Sequence, residues 1–466
     1  MEPIPKTARP ALFSITWPLF AELGLGMLVG VVGLWFAAQA SDASAAAFSV
    51  ANHVQATFFL LFRVISMGLG VVVTQNLGAG HRQGAHETAR AALGASTWLG
   101  LGTAVVVLAC AAPLLRLLNA PPEVMPQALP YLRVLAFALA LDALNASMAA
   151  VMRAHLHARD ALVNMLAMHA LHLLLCWPLM HGVGPWPGFG LPGFAVAMVA
   201  SRAFGVAFHL ALWRRRLQLV PQRDDWWRLH RDRLGPVLHI GVPGAAETIA
   251  YRLAFVFTVA VVATMGTTAL ATHTYTMQVM YLVLLAGLAV GFASEILVGH
   301  MVGAGQLHEA RALVRKSLRW GLGTSFGLAL VAALAAPSVL PLFTRDPQVL
   351  AMAGTLLWIT VVLEPGRTFN LVVINALRAT GDARFPVVAG IASMVIIMAG
   401  GAWFLGVHLG WGLPGVWVAY AADEWVRGLT MAARWHRHGW VPHARRTHRR
   451  VSGPRRGRAA TPFAAG

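Results

Sequence analysis

Long apolar runs alternate along this chain with short polar stretches rich in arginine. Ala11 to Ala40, Val163 to Met180 and Phe385 to Phe404 are three of these runs. About 20 apolar residues in helical form cross the core of a bilayer, and a helix pairs its own backbone polar groups in lipid. The pattern predicts twelve spans, at roughly 11–38, 45–74, 88–115, 129–153, 160–182, 191–213, 237–263, 269–298, 311–340, 350–377, 385–407 and 413–434.

The pattern also repeats. At an offset of 225 residues Trp17-Pro18 meets Val242-Pro243, Glu22 meets Glu247, and Gly78-Ala79-Gly80 meets Gly303-Ala304-Gly305. Further on, Arg90 meets Arg315, Asn145 meets Asn370, Arg153-Ala154 meets Arg378-Ala379, and Ala158-Arg159 meets Ala383-Arg384. The register slips near the end, where Gly190-Leu191-Pro192-Gly193 meets Gly412-Leu413-Pro414-Gly415. An internal repeat of several spans marks paired halves, as in secondary transporters. Six spans per half is an even number, so both halves enter the membrane from the same side. The expected fold is an all-α polytopic membrane protein, twelve transmembrane helices in two pseudo-twofold-related six-helix lobes. The solute path is expected between them. The lobes are read as residues 1–220 and 221–435, with 436–466 a basic, disordered tail.

Composition agrees with the pattern: 58% of the 466 residues are hydrophobic and 12% charged, half the charged share of soluble domains. The net charge of +18 would suggest nucleic acid in a soluble protein, but here topology accounts for it. One set of alternate loops holds Arg82, Arg90, Arg153, Arg159, Arg214 to Arg216, Arg223 to Arg233, Arg311, Arg315, Lys316, Arg378, Arg384 and the tail. The other holds little beyond Arg116, Arg133 and Arg345. The positive-inside rule places the rich side and both termini in the cytoplasm. Lys6 and Arg9 lead straight into the first span, with no cleavable signal peptide evident. Trp213 to Arg233, with Trp226-Trp227, reads as an amphipathic linker on the membrane surface. The tail, with Arg445-Arg446, Arg449-Arg450 and Arg455-Arg456, reads as attracted to anionic lipid headgroups. Its histidines, 436, 438, 443 and 448, match no metal-ligand spacing. Cys110 and Cys176 fall inside spans and read as buried, unpaired thiols.

Two sets of residues carry a family resemblance. The first half has Trp17-Pro18, Ala45-Ala46-Ala47 and Thr74-Gln75-Asn76-Leu77-Gly78-Ala79-Gly80. The second has Gly241-Val242-Pro243, Ala269-Leu270-Ala271, Gly299-His300-Met301-Val302-Gly303-Ala304-Gly305 and Asn375 to Pro386. Over about residues 10–435 the chain resembles the MATE (multidrug and toxic compound extrusion) family. That family shows a proline entering spans 1 and 7, Q-x-x-G-A-G after spans 2 and 8, and L-R-G-x-G-D-x-R-x-P after span 10. The resemblance implies two lobes around a central cavity and export of amphipathic, often cationic compounds against H+ or Na+. No P-loop is present, and no cofactor is expected. The small residues of Gly78 to Gly80 read as a tight turn. The expected partners are small-molecule substrates and membrane lipids, not nucleic acid. The expected state is a monomer in the bacterial inner membrane, and not an enzyme.

The chain departs from the family where the coupling ion binds. Many members carry an aspartate midway along span 1, and here Gly33 stands there. Others carry an acid in span 10, eleven residues before the motif arginine, and here Arg367 stands there. Other acids must then serve. An ionisable group inside a span is a functional candidate, because lipid penalises it unless it is paired or hydrated. The coupling candidates are Glu364, Asp423, Asp142, Glu424, Glu247 and Glu22, the last two being repeat-matched and close enough to the span ends to reach water. Asp142 is the first-half counterpart of Arg367. Glu364 and Arg367 (i, i+3) and Asp423 and Arg427 (i, i+4) share helix faces, and Pro365 should loosen span 10 between the first two. Glu295 reads as solvated at the end of span 8. Arg63, Arg202, Arg252 and Arg367 need acidic partners, with Glu364–Arg252 and Asp142–Arg63 as candidate pairs. Asn145 and Asn370 are candidates for substrate contact or interhelical hydrogen bonds. Tyr251, Tyr275, Met277, Met280 and Tyr281 on spans 7 and 8 are candidates for an aromatic, sulfur-rich wall for flat cations.

Two other readings compete. A lipid or lipid-linked-sugar flippase of the same superfamily would carry extra spans and a strongly cationic cavity. A polytopic enzyme or receptor would want clustered catalytic side chains at a membrane face, and none recurs here.

Overall fold

A computed structural model of the chain describes residues 11–453. Its helices are α1 (Leu12–Ala40), α2 (Asp42–Gly78), α3 (Arg82–Leu117), α4 (Met125–Ala154), α5 (Ala158–His181) and α6 (Leu191–Leu212). Then come α7 (Arg231–Ala263), α8 (Thr267–Gly303), α9 (Leu307–Val339) and α10 (Pro347–Thr380). They are followed by α11 (Arg384–His408), α12 (Gly412–His436) and α13 (Val441–Ser452). Eleven are long and apolar enough to cross a membrane. The twelfth crossing is α12, whose Asp423, Glu424 and Arg427 are buried inside its lobe and so spared contact with lipid.

Local chemistry sets the helix ends. Ser41, in extended backbone, caps α2 by accepting the Ser44 N–H at 3.0 Å. Asp346 caps α10 by accepting the Gln348 N–H at 2.8 Å, and Pro347 opens the first turn. Gly381, at φ +93°, ends α10 in the left-handed conformation that glycine adopts without cost. The two Gly-Ala-Gly motifs turn as expected, with Gly80 at φ +78° and Gly305 at φ +74°. Pro365 deprives the Val361 carbonyl of its helical donor; α10 nevertheless runs through it, and Trp425 donates to the neighbouring Val362 carbonyl at 2.9 Å.

In the first lobe α4 is central, packed by α2, α3 and α6, with α5 on α6. In the second, α10 takes that place among α8, α9 and α12. The first helix of each half crosses to the other: α1 lies on α8 and α7 lies on α2. At the arginine-rich end α2 and α8 meet backbone to backbone. A Cβ on Gly78 would overlap the His300 carbonyl, and one on Gly303 would overlap that of Gln75. Small residues are what let membrane helices approach this closely. Two repeat-matched hydrogen bonds are among those that cross the same end. Gln75 Nε2 donates to the Ala379 carbonyl at 2.8 Å, and His300 Nε2 donates to the Ala154 carbonyl at 2.8 Å. Donors and acceptors are both matched at the 225-residue offset, so the lobes hold each other reciprocally.

The Trp213–Arg233 stretch lies along α3: Trp98 Nε1 donates to the Trp227 carbonyl at 2.8 Å and Arg90 to that of Val220 at 3.1 Å. The expectation of a disordered tail fails over Val441–Ser452. That segment is helical because Ala444, Thr447 and Val451, spaced for one helix face, bury against the protein. Lys6, Arg9 and Arg455-Arg456 lie outside the described residues.

Gly78→Ala and Gly303→Ala should each destabilise the protein by about 1–3 kcal/mol through overpacking. Gly102→Ala, whose Cβ meets nothing within 4 Å, should be neutral or slightly stabilising. Thermal unfolding in detergent measures all three.

Candidate transport site

The helices that build lobe 1 enclose a cavity of about 490 Å³, closed on one side by Leu288, Phe292 and Glu295 of α8. It therefore belongs mostly to lobe 1 and does not lie midway between the halves. Its polar wall begins with Asp142 on α4, which forms an ion pair with Arg202 of α6, Oδ1 to Nε 2.7 Å. Gln55 Nε2 lies 3.5 Å from the other Asp142 oxygen. Asn145, one turn on, donates to the Arg202 carbonyl at 3.0 Å. His209 Nδ1 sits 3.2 Å from Asn145 Oδ1 and 2.9 Å from Asn164 Nδ2. A second ion pair, Arg153 to Glu22 at 2.6 Å, ties α4 to α1 at the wall. Arg63 and Glu295 line the cavity; among the described residues neither forms an ion pair, and Glu295 Oε1 is buried without a hydrogen-bond partner.

Lobe 2 holds its charges in a closed cluster. Arg367 on α10 donates to Glu364 at 2.6 Å and to Glu424 of α12 at 3.1 Å. Arg427 reaches Asp423 at 2.7 Å and Glu424 at 3.0 Å. Asn370 Nδ2 donates to the second Glu424 oxygen at 3.0 Å, and Ser393 Oγ donates to Asp423 at 2.6 Å. Three carboxylates thus face two guanidiniums, all buried, leaving one formal negative charge. A void of about 10 Å³ beside them is lined by Tyr251, Met277, Arg367, Asp423 and Glu424 among others; that is room for roughly one water-sized particle.

The two lobes carry one scheme with opposite signs. Asp142 on α4 and Arg367 on α10 are matched at 225 residues. Arg202 on α6 and Glu424 on α12 are matched at the slipped offset of 222. Acid-to-base in lobe 1 becomes base-to-acid in lobe 2, between the same two helices. The outer pairs keep their sign: Glu22–Arg153 recurs as Glu247–Arg378. Sequence reasoning singled out these residues but missed the pairings. The slipped offset, applied to Arg202, was the available signal.

Several expected contacts are not made. Asp142 pairs with Arg202 in place of Arg63, and Glu364 with Arg367 in place of Arg252, because those partners lie on adjoining or shared helix faces. Arg252 is exposed. Glu22 and Glu247 are held by arginines, not left to water. Glu295 faces the cavity. The aromatic wall does not assemble. Tyr251 and Met277 border the small void, while Tyr275 packs on Phe343 at 5.8 Å. Met280 is core, Tyr281 is exposed, and none of the five lines the large cavity. Cys176 is buried, but Cys110 is exposed on its helix. At Gly33 a Cβ would lie 2.8 Å from the Phe48 ring and 3.1 Å from that of Phe194. The place of the family's span-1 acid is thus filled by aromatic packing.

Paired six-helix lobes with buried charges define the architecture of a membrane transporter. The family model for MatE matches residues 18–177 and 243–403, and the chain belongs to the MatE family. It is 33% identical over 431 residues to the uncharacterized transporter YisQ of Bacillus subtilis, covering 92% of this chain and 95% of that one. It is 26% identical over 408 residues to a probable multidrug resistance protein NorM of Chromobacterium violaceum, covering 83% and 84%. The fold matches a crystal structure of MATE in the bent conformation with TM-score 0.84 at 19% identity, over 94% of this chain and 96% of that one. It matches an outward-facing multidrug resistance MATE family transporter with TM-score 0.83 at 20% identity, over 93% and 96%.

The mirrored pair generates a charge-swap test. Asp142→Arg or Arg202→Glu alone puts like charges together and should cost about 3–5 kcal/mol. The double variant copies the polarity of lobe 2 and should recover most of that loss. Thermal unfolding that leaves the double variant no better than the singles would contradict the match.

Proposed function

We propose that the protein is a secondary active exporter of amphipathic small molecules, driven by antiport of a cation, with substrate and cation held in different lobes. The observation that carries this reading is the lobe 2 cluster, where three carboxylates face two guanidiniums beside a void of about 10 Å³. One proton or one Na+ cancels its excess charge. Buried charge that is left uncompensated is costly, so loading the cluster favours whichever lobe arrangement shields it better. Among the described residues Glu364 has a single partner, Arg367, while Asp423 has two and Glu424 three. Glu364 is therefore the acid most easily released for protonation, followed by Asp423, with Asp142 of lobe 1 third.

The lobe 1 cavity suits the substrate. About 490 Å³ falls within the usual range for small-molecule sites. Leu19, Leu23, Phe59, Met67 and Phe292 give it apolar surface. Arg63, Arg153 and Arg202 are balanced by Glu22, Asp142 and Glu295. That balance supports an exporter over a flippase, for which a strongly cationic cavity is expected. The arginine-rich end is assigned to the cytoplasm of the bacterial inner membrane, with both termini there. The chain works as a monomer, and its close-packed end is the cytoplasmic gate in its shut state.

Reconstituted protein should extrude a cationic dye against an imposed proton gradient. Glu364→Gln should lower gradient-driven efflux at least about tenfold while leaving dye binding within about twofold, as expected when a group serves coupling and not binding. If Glu364→Gln, Asp423→Asn and Asp142→Asn all transport like the parent, the coupling assignment is wrong.

A further inference from the structure

The C-terminal helix α13 spans both lobes. Its root is in lobe 2, where Trp440 is fully buried and stacks on Trp435 at 4.3 Å. Arg311 lies 5.5 Å over the Trp440 ring, and Arg434 Nε donates to Asp382 at 3.0 Å. Its middle is also held there: Thr447 Oγ1 donates to the Thr380 carbonyl at 3.1 Å, and His448 Nδ1 donates to that of Gly303 at 2.8 Å. Its tip reaches lobe 1, where Arg450 donates to Gln75 Oε1 at 2.9 Å. A basic amphipathic helix ordinarily spends its apolar stripe on the membrane surface. Here Ala444, Thr447 and Val451 are buried on the ends of α2, α8 and α10, so the stripe serves the protein.

Gln75 is the decisive contact. Its Nε2 closes the interlobe hydrogen bond to Ala379, and its Oε1 is taken by Arg450. One fully buried side chain is therefore held at both ends. Its repeat counterpart, His300, makes the reciprocal bond to Ala154 but leaves Nδ1 unpartnered. The symmetric gate thus carries one asymmetric clamp, built from residues outside the repeat.

We propose that α13 is a strap that holds the arginine-rich end shut by clamping Gln75, and that its tip must leave α2 before the lobes part there. The root stays on lobe 2, because the Trp435–Trp440 stack and the Asp382 pair do not cross the interface.

The test needs neither substrate nor ion gradient, so its failure is separate from failure of the transport reading. In full-length protein with Cys110→Ser and Cys176→Ala, Ser66→Cys places a thiol on the cavity wall. Sealed vesicles exposing the arginine-rich end are treated with a membrane-impermeant maleimide. Arg450→Ala should raise the labelling rate about three- to tenfold, the population shift expected from losing one hydrogen bond made by an exposed side chain. Gln75→Ala should raise it at least as much. Arg449→Ala, which removes a neighbouring exposed charge, should label like the parent. Parent-like labelling of Arg450→Ala or Gln75→Ala overturns the strap. So does equal acceleration by Arg449→Ala, which would assign the effect to net charge.

Discussion

Charge in the hydrocarbon region must find opposite charge or water, and this constraint organises the whole molecule. The ion pairs sit between helices whose relative placement they then define: α1 with α4, α4 with α6, α7 with α10, and α10 with α12. Each pair costs desolvation, so it is weak evidence for stability. Of the two repeat-matched joints, one keeps its sign between the halves and the other is reversed. The reversal shows that the helix scaffold accommodates an ion pair at that joint in either direction.

That freedom lets the lobes differ in use. In lobe 1 the joint is a one-to-one pair on the wall of a cavity, with Gln55, Asn145 and the His209–Asn164 link around it. In lobe 2 the same joint gains Glu364, Asp423 and Arg427 and is shut from the large cavity. The interface between the lobes is backbone-close at Gly78 and Gly303, and relative motion there breaks the two reciprocal hydrogen bonds and the Arg450–Gln75 bond. Such an interface suits two discrete arrangements better than a graded one.

Much of this was legible in the chain. Span length, arginine sorting and the 225-residue repeat predict twelve helices in two lobes, because bilayer thickness and backbone pairing leave few alternatives. The i, i+3 and i, i+4 spacings placed Glu364 beside Arg367 and Asp423 beside Arg427, since helix geometry alone brings them together. Pairing across helices was not legible: Arg202 and Arg63 both lie in spans of lobe 1, and which one meets Asp142 depends on helix rotation. The aromatic wall failed for the same reason, because residue type does not say which side of α7 or α8 faces the cavity. The order in Val441–Ser452 was masked by arginines, whose exposed heads hide a three-residue apolar stripe.

Gly33 and Arg367 stand where the family's usual cation ligands are expected, so in the antiport we propose an acid beside the arginine takes the place of one at its position. Proton exchange by purified protein in weakly buffered detergent reads that directly. Addition of a transported cation should release on the order of one proton per molecule from the parent, and none from Glu364→Gln. Equal release from both proteins, or none from the parent between about pH 5 and 8, would contradict proton coupling at this cluster.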